Sequence, residues 1–303
     1  MVKCINFVQF LVFMVFIYGY FCQDFGYDGD EGPSEWGKRY KQCVGKHQSP
    51  IDIDIHNVQM VNLPKLRFDF FNKPLRNVRL TNTGHTVKMT IEEGPTPTIN
   101  GGPLNGTYEF NHLHFHWGNN DTHGSENMLN HNSFPLELHV LFYNKYYGSL
   151  DEASKHTDGY LVLSFLYSTS TRSNKHYDLF ESGLSKIVKI NSTYKLNNFE
   201  SLDKFTTARK DSYFTYEGSL TTPPCSEIVT WIEFRDTIPI THEQIEHFRQ
   251  LNGPHGKLTH NYRPTQNLND RIIRMNSSAT LKTSSLLLGW LTICLPFLLN
   301  LIR

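Results

Sequence analysis

A short stretch in which histidine alternates with apolar side chains constrains this chain more than any other feature. It spans residues 110–117 and contains His112, His114 and His116. A period of two is that of a β-strand, so the imidazoles are expected on one face and the apolar side chains between them on the other, against a core. Histidines two apart on a strand can converge on one ion.

A second stretch repeats this arrangement with one carboxylate and one imidazole. Glu137 and His139 alternate with Leu136, Leu138 and Val140. Two such strands side by side can present three imidazoles and a nearby acid. These are the components of a catalytic zinc site, in which three protein ligands leave a fourth position open and an acid orients one ligand. A metal-free polar sheet face is the usual explanation for one histidine, but the cluster with its flanks favours a metal site.

Length and composition limit the remaining possibilities. The chain has 303 residues, of which 39% are hydrophobic and 13% aromatic, enough for one large domain or two small ones. Basic and acidic residues balance at 29 each, and no basic run stands out. Since phosphate binding needs clustered Lys and Arg, nucleic acid is not expected as a partner.

The residues between 23 and 276 predict one β-rich domain with marginal helices. Its strand candidates are short and separated by Gly, Pro and Asn. They are Leu66–Phe70, Val78–Asn82, Thr86–Ile91, Thr107–Trp117, Pro135–Tyr143, Tyr160–Tyr167, Tyr213–Tyr216 and Ile228–Phe234. Helices are predicted over Tyr177–Lys189 and over His242–Leu251, which follows the cap-like Thr241. Residues 24–34, rich in Gly, Asp and Glu, are expected to form a mobile lead-in.

Both ends of the chain predict processing in the secretory pathway. Residues 1–22 carry an early lysine and then an apolar run, typical of a cleaved signal peptide; the alternative is an uncleaved anchor, for which the run is short. Residues 277–303 begin with small residues, continue through a polar spacer and finish in an apolar run. That order is typical of a glycosylphosphatidylinositol (GPI) attachment signal, with a single transmembrane helix as the alternative. With either kind of C-terminal attachment, the predicted location is the outer face of the plasma membrane.

Cysteine usage and glycosylation sequons agree with that location. Cys43 and Cys225 are the cysteines of the predicted mature domain. A pair of cysteines in an oxidising compartment predicts a disulfide, and two free thiols are the alternative. Four sequons predict surface glycans on at least some of these residues: Asn105, Asn120, Asn191 and Asn276.

Many short motifs, in order along residues 36–275, resemble the α-class carbonic anhydrases. They are Gln48–Ile53, Asn82–His85, Gly101–Leu104, His114–Gly118, Gly124–Glu126, Glu137–His139, Tyr216–Pro224 and Asn261–Pro264. The resemblance implies a zinc lyase that reversibly hydrates carbon dioxide to bicarbonate and a proton. It also implies a β-rich α+β fold, with a large, mostly antiparallel twisted sheet, peripheral helices and a conical zinc cavity. The implied zinc ligands are His114, His116 and His139.

The resemblance further implies roles for residues around the metal. Glu137 and the backbone carbonyl of Asn261 would fix two of the ligand histidines. His112 stands where the family usually has glutamine, and it would accept a hydrogen bond from the first ligand or compete for the metal. Thr221 would donate its hydroxyl proton to Glu126 and orient the attacking hydroxide.

Proton and substrate paths are implied in the same way. His85 matches the position that transfers protons between the site and buffer, for which an ordinary pKa near 6.5 is suitable. An ordinary histidine at the cavity rim is the alternative. An apolar pocket would accept the small uncharged substrate and release the anionic product; its residues are Leu141, Val162, Leu220, Thr222, Val229 and Trp231.

Three positions depart from the family pattern, and none removes a ligand. Asn127 replaces a histidine that links the Glu137 and Tyr216 positions, Lys38 stands where a cavity tyrosine is common, and Tyr262 replaces a tryptophan. Two other functions stay open. A binding module without catalysis is disfavoured because all three ligands are present, and another zinc hydrolase is disfavoured because no H-E-x-x-H helix occurs.

Overall fold

The computed structural model describes residues 25–276, and within that range a 12-stranded sheet forms the centre of the molecule. The strands, including four in two small additional sheets, are β1 (Asp52–Ile53), β2 (Gln59–Val61), β3 (Arg67–Asp69), β4 (Leu75–Asn82), β5 (Val87–Glu93), β6 (Thr98–Asn100), β7 (Tyr108–Trp117), β8 (Met128–Leu129), β9 (Leu136–Asn144), β10 (Tyr160–Thr169), β11 (Thr193–Phe199), β12 (Tyr213–Gly218), β13 (Val229–Ile240), β14 (Asn252–Gly253), β15 (Gly256–Lys257) and β16 (Arg274–Asn276).

The α-helices are short and lie outside the sheet. Among the described residues they are α1 (Trp36–Arg39), α2 (Leu150–Ala153), α3 (Asp178–Leu184) and α4 (His242–Arg249). The predicted start of α4 is confirmed, because Thr241 and Gln244 form a reciprocal capping box. The helix predicted over Tyr177–Lys189 is shorter and ends at Leu184. Between residues 25 and 276, no helix has the length and apolar character needed to cross a bilayer.

The main path through the sheet runs β11-β4-β5-β7-β9-β10-β13-β12-β16-β2, with β6 joining β3 to β7. Two neighbouring pairs, β10–β13 and β16–β2, are parallel, and the others in this sheet are antiparallel. The predicted large, mostly antiparallel sheet with peripheral helices is therefore confirmed. The conical cavity stays a prediction.

A β-bulge in β7 decides which side chains share a face. The register against β9 shifts between Phe110 and His112, so Asn111 is the extra residue. Before the bulge, Tyr108 and Phe110 point into the core, and after it Leu113 does so. The change from even to odd positions brings His112 onto the same face as the histidines that follow it.

The central strands separate two groups of buried side chains. One face carries the larger core, rich in Phe, Leu and Tyr. On the other face, strand pairing aligns His114, His139, Ser164 and Glu233 in one row across β7, β9, β10 and β13. The adjacent row on that face begins with His112 on β7 and continues with the apolar residues Leu141, Val162 and Trp231.

The prediction of a mobile lead-in is wrong for residues 25–34. Phe25 is buried, and its ring packs edge-on against buried Trp36 at a centroid distance of 5.5 Å. The Trp36 indole Nε1 donates to the backbone oxygens of Gly26 at 3.1 Å and Glu31 at 2.8 Å. Polar composition suggested mobility, but two aromatic side chains fix this segment against the domain.

The predicted disulfide between Cys43 and Cys225 is confirmed, with their Cα atoms 4.8 Å apart. The bond joins the segment after α1 to the loop between β12 and β13, in which the Cys225 amide donates to Thr222 O at 2.9 Å. The neighbouring residue Thr221 is also buried. The disulfide therefore restrains the loop that carries both threonines.

Candidate metal centre

Three histidines on two adjacent strands converge at one point. His114 lies directly opposite His139 in the β7–β9 register, and His116 follows two residues later on the same face of β7. One ring nitrogen of each residue lies within 4.8 Å of the others. This set, called the triad below, contains the three histidines predicted as metal ligands.

The outer nitrogens of two triad rings are held by acceptors. His116 Nδ1 donates to the backbone oxygen of Asn261 at 2.8 Å, and His139 Nε2 donates to Glu137 Oε1 at 2.6 Å. Because a carbonyl and a carboxylate oxygen can only accept, each contact fixes the tautomer of its imidazole. The opposite nitrogen of each ring, His116 Nε2 and His139 Nδ1, is therefore left with its lone pair free.

The triad fits a zinc ion. Burial lowers the pKa of His114 well below its ordinary value and that of His116 to about 3, so both rings are neutral. His116 Nε2 is buried and has no hydrogen-bond partner among residues 25–276. Neutral imidazoles with free lone pairs are the ligands that zinc takes, and three of them leave a fourth position for a reactant.

Glu137 is bound from several directions. Its carboxylate accepts from the backbone amides of Glu126 at 2.7 Å and Asn127 at 2.9 Å, and from the Ser164 hydroxyl at 2.6 Å, besides His139. Burial opposes ionisation, but the interaction with His139 and these hydrogen bonds outweigh it and lower the pKa of Glu137 to about 2. An ionised, fixed carboxylate is suited to orient a ligand histidine.

Asn127 makes the link that the family's histidine would make. Its Nδ2 donates to Glu137 Oε1 at 2.8 Å, and its Oδ1 accepts from the Tyr216 hydroxyl at 3.0 Å. The shorter amide therefore preserves the connection between Glu137 and Tyr216.

The side chains of Thr221 and Glu126 interact as predicted, but without a hydrogen bond of ordinary geometry. Both residues are buried, and Glu126 Oε1 accepts from the Arg263 amide at 2.9 Å. Burial raises the pKa of Glu126, Glu137 adds to the rise, and Thr221 and Arg263 oppose it. Glu126 Oε2 has no hydrogen bond of ordinary geometry within the described residues. A dication at the triad would lower the pKa of Glu126, since bound cations favour nearby anions.

The role predicted for His112 needs correction. Its ring lies 5.2 Å from that of His114, but its Nδ1 contacts Asn111 Oδ1 at 2.7 Å. His114 Nδ1 is buried without a hydrogen-bond partner in the described part of the chain. The expected hydrogen bond between the two histidines is therefore not formed, and His112 is held instead by the bulge residue Asn111. His112 is also not part of the converging triad.

His85 is half-buried beside the N-terminal segment. Its ring stacks on Phe25 at a centroid distance of 4.1 Å, and burial lowers its pKa. Tyr27 and His85 line a cavity of about 120 Å³, called the His85 pocket below, whose other residues include Asp28, His255 and His260. Neither Phe25 nor Tyr27 was predicted to contribute, although aromatic side chains in a polar segment are a signal for buried packing.

Lys38, at a position where the family commonly has a cavity tyrosine, points to solvent. Its side chain is 76% exposed and pairs with Glu35. The tyrosine near the site is instead Tyr27, whose pKa is raised by burial and by the charge of Glu126.

The residues predicted to form an apolar pocket belong largely to one cluster. Leu141, Val162, Val229 and Trp231 are buried together, and Leu220 packs against them half-buried. The Trp231 ring lies 4.9 Å from that of His139, so the apolar cluster begins directly beside the triad. Thr222 is half-buried in the adjoining loop.

The four sequon asparagines differ in exposure. Asn105, Asn120 and Asn191 are exposed, whereas Asn276 is only 9% exposed. The Asn276 Nδ2 atom, which would carry the glycan, donates to the backbone oxygen of Asp211 at 3.1 Å. Its Oδ1 accepts from Leu63 N at 2.9 Å. A glycan on Asn276 would disrupt both contacts, and glycosylation of the sequons stays a prediction.

A triad of converging imidazoles, two of them oriented by fixed acceptors, on a large, mostly antiparallel sheet defines a zinc enzyme of the three-histidine class. The model of the eukaryotic-type carbonic anhydrase family matches residues 31–277. The chain belongs to this family, and the enzyme is a carbonic anhydrase, a lyase that uses zinc.

Individual relatives agree with the family match. The chain is 38% identical over 250 residues to a Caenorhabditis elegans protein that carries a carbonic anhydrase 3 name, covering 81% of this chain and 94% of that protein. It is 35% identical over 269 residues to carbonic anhydrase 7 of Mus musculus, covering 86% and 99%. It is 30% identical over 259 residues to carbonic anhydrase 3 of Equus caballus, covering 83% and 98%.

Proposed function

We propose that this carbonic anhydrase reversibly hydrates carbon dioxide to bicarbonate and a proton on the outer face of the plasma membrane. The observation that carries the chemistry is the convergence of three imidazoles within 4.8 Å. Two of them are oriented by Asn261 O and Glu137. When bound there, zinc supplies a Lewis acid that makes hydroxide available from water at a pH of about 7.

Thr221 orients the attacking hydroxide in this proposal. When ionised, Glu126 can only accept, so a hydrogen bond to it uses the Thr221 proton and leaves a Thr221 lone pair for the hydroxide. The burial of both side chains supports this role. The Arg263 amide supports it further, because it fixes Glu126 Oε1 at 2.9 Å. The backbone N–H of Thr221 is available to an oxygen of the substrate.

The apolar cluster beside the triad is the proposed binding site for carbon dioxide. Its position next to His139 supports this, since Trp231 contacts that ring on the same face of the sheet. An apolar wall favours a small uncharged molecule over its anionic product. The residues proposed to contribute are Leu141, Val162, Leu220, Thr222, Val229 and Trp231.

His85 is the proposed proton carrier. It is half-buried in the His85 pocket, and it forms no side-chain hydrogen bond within the described range that would fix its ring. Its lowered pKa keeps the ring neutral near pH 7, so that it can accept a proton from the site.

The proposed extracellular location is supported by the Cys43–Cys225 disulfide, since such bonds persist in oxidising compartments. The segments that would direct secretion and lipid anchoring, residues 1–22 and 277–303, lie outside the described residues. Phosphatidylinositol-specific phospholipase C is expected to release the protein from membranes. Protein that stays bound, with peptides recovered from Leu286 onward, would favour a transmembrane helix.

A hydration assay on the purified protein tests the catalytic proposal. We expect activity that a chelator removes and added zinc restores. Stoichiometric zinc without any carbon dioxide hydration would instead indicate a binding module, the alternative that the intact triad disfavours.

A further inference from the structure

A buried acid lies two strands away from the triad, and one of its two carboxyl oxygens has no hydrogen-bond partner among residues 25–276. Glu233 on β13 is 1% exposed and stands in the same row as His139 and Ser164. Its Oε2 accepts from Asn127 Nδ2 at 3.2 Å, whereas its Oε1 has no hydrogen-bond partner in the described part of the chain. Because burying such a group is costly, its presence at this position requires an explanation.

Asn127 connects this acid to the triad. One Nδ2 hydrogen bond goes to Glu233 at 3.2 Å and the other to Glu137 at 2.8 Å. Its Oδ1 accepts from the Tyr216 hydroxyl at 3.0 Å and from the Ile51 amide at 3.2 Å. These four contacts use the full hydrogen-bonding capacity of an asparagine amide. The orientation of Asn127 is therefore fixed only while every partner is present.

Ser164 provides a second connection. It stands opposite His139 on one side and opposite Glu233 on the other. Its hydroxyl donates to Glu137 Oε1 at 2.6 Å, which leaves its lone pairs free on the side of Glu233. Both routes from Glu233 thus end on the same oxygen, Oε1 of Glu137, which also accepts from His139 at 2.6 Å.

The charges of the two acids are unequal. Glu137 accepts from two backbone amides, from Asn127 Nδ2 and from the Ser164 hydroxyl, a set of donors that suits an ionised carboxylate. Burial raises the pKa of Glu233 well above its ordinary value, and the charge of Glu137 raises it further, against a smaller effect of Ser164. A neutral Glu233 can both accept from Asn127 and donate towards Ser164, whereas a second buried carboxylate would repel Glu137.

We propose that Glu233 is a positioning residue of the zinc centre, which acts through Asn127 and Ser164 on Glu137 and so sets the orientation of the His139 ring. Removing it leaves one Asn127 N–H without an acceptor, so Asn127 and Glu137 can both shift. The inference rests on the assignment of zinc to the triad.

The test compares zinc dissociation from the full protein for three single variants, measured by competition with a chelator. Glu233→Leu removes both hydrogen-bonding functions, and we expect zinc to leave about 10-fold faster, near the lower end of the effect of losing a direct partner of a ligand. Glu233→Gln can accept and donate, and we expect a change of less than about 2-fold. The control Glu217→Gln alters an acid on neighbouring β12 that accepts from Thr230 at 3.1 Å, and we expect no change.

A merely structural role makes a different forecast. Replacing a buried acid by leucine is often neutral or stabilising. If Glu233 has only a structural role, Glu233→Leu is expected to leave the rate of zinc dissociation unchanged, whatever its effect on thermal unfolding of the zinc-free protein. Zinc dissociation equal to that of the unaltered protein in the Leu variant would overturn the proposal, as would an equally fast loss in the Gln variant. If the unaltered protein itself does not retain zinc, the zinc assignment fails instead.

A double variant tests the shared route. Ser164→Ala alone is expected to accelerate zinc dissociation. The double variant with Glu233→Leu is expected to accelerate it by less than the product of the two single effects, because both side chains act on Glu137 Oε1. Fully multiplicative effects would show that the two side chains act separately and would contradict the proposal.

Discussion

The triad and the His85 pocket both contain histidine side chains, but hydrogen bonds restrain the rings in the triad and ring stacking restrains His85. The triad rings are held by Asn261 O and Glu137 through hydrogen bonds of 2.8 and 2.6 Å. His85 is instead stacked on Phe25, and among the described residues it has no side-chain hydrogen bond. A ligand must keep one ring orientation, whereas a proton carrier must reach two partners in turn. Directional hydrogen bonds are therefore found at the triad, and a weaker, non-directional stacking contact is found at His85.

One residue joins these two regions. The side-chain amide of Asn261 donates to the backbone oxygens of His85 and Phe115, both at 2.9 Å, and its Oδ1 accepts from Trp117 N at 2.7 Å. Its own backbone oxygen holds His116. The spacing between the metal end and the His85 pocket is thus set by a single buried asparagine.

The largest effect is expected when the triad is broken. His139→Ala removes one of three ligands, and we expect zinc affinity to fall on the order of 10³-fold and hydration to be lost. Metal analysis and a hydration assay measure both. The control is His131→Ala, which removes an 80% exposed histidine paired with Asp52. Full activity with stoichiometric zinc in the His139 variant would refute the ligand assignment.

Asn261→Ala is expected to damage both regions together. It leaves the buried amide of Trp117 and the carbonyl of His85 without these partners, whereas Phe115 O keeps the Thr86 hydroxyl, and we expect a cost of roughly 3 kcal/mol. Chemical denaturation should show this loss, together with weaker zinc retention and slower proton transfer. Asn132→Ala, at an exposed turn, is the control. A variant that loses stability but keeps both functions unchanged would show that Asn261 does not couple the regions.

His85→Ala is expected to separate the two regions. Turnover in weak buffer should fall on the order of 10- to 100-fold, while attack on carbon dioxide is retained, because His85 does not contact the triad. Imidazole in the buffer should restore the rate. His255→Ala, in the same pocket and paired with Glu31, is the control. An equal, buffer-independent rate for the His85 variant and the unaltered protein would exclude the carrier role.

The smallest effect is expected for Phe25→Ala. Because burial lowers the pKa of His85, removing the stacked ring should raise this pKa towards its ordinary value. At a given pH near that value more of the ring is then protonated, and weak-buffer turnover should change by less than about 3-fold. NMR titration of the His85 ring measures the shift. Tyr146→Ala, which removes an 87% exposed aromatic ring, is the control. A lower or unchanged pKa would show that Phe25 does not shield His85.

The sequence by itself determined the strands of the centre and the three histidines that converge as candidate metal ligands. The alternation of His114 and His116 with apolar residues is a local signal, because side-chain direction in a strand repeats every two residues. The same holds for Glu137 and His139 on β9. The disulfide could also be predicted, since the mature domain offers one pair of cysteines.

Only the tertiary structure decided which distant residues meet. The bulge at Asn111 places His112 beside the triad, with its Nδ1 paired with Asn111 Oδ1. Tyr27 reaches the surroundings of Glu126, close to 100 residues later in the chain, and gives no periodic signal of its own. Glu233 meets Asn127 across a separation of 106 residues. Such contacts depend on strand order and on the packing of whole segments, whereas the alternation within one strand is written in the local sequence.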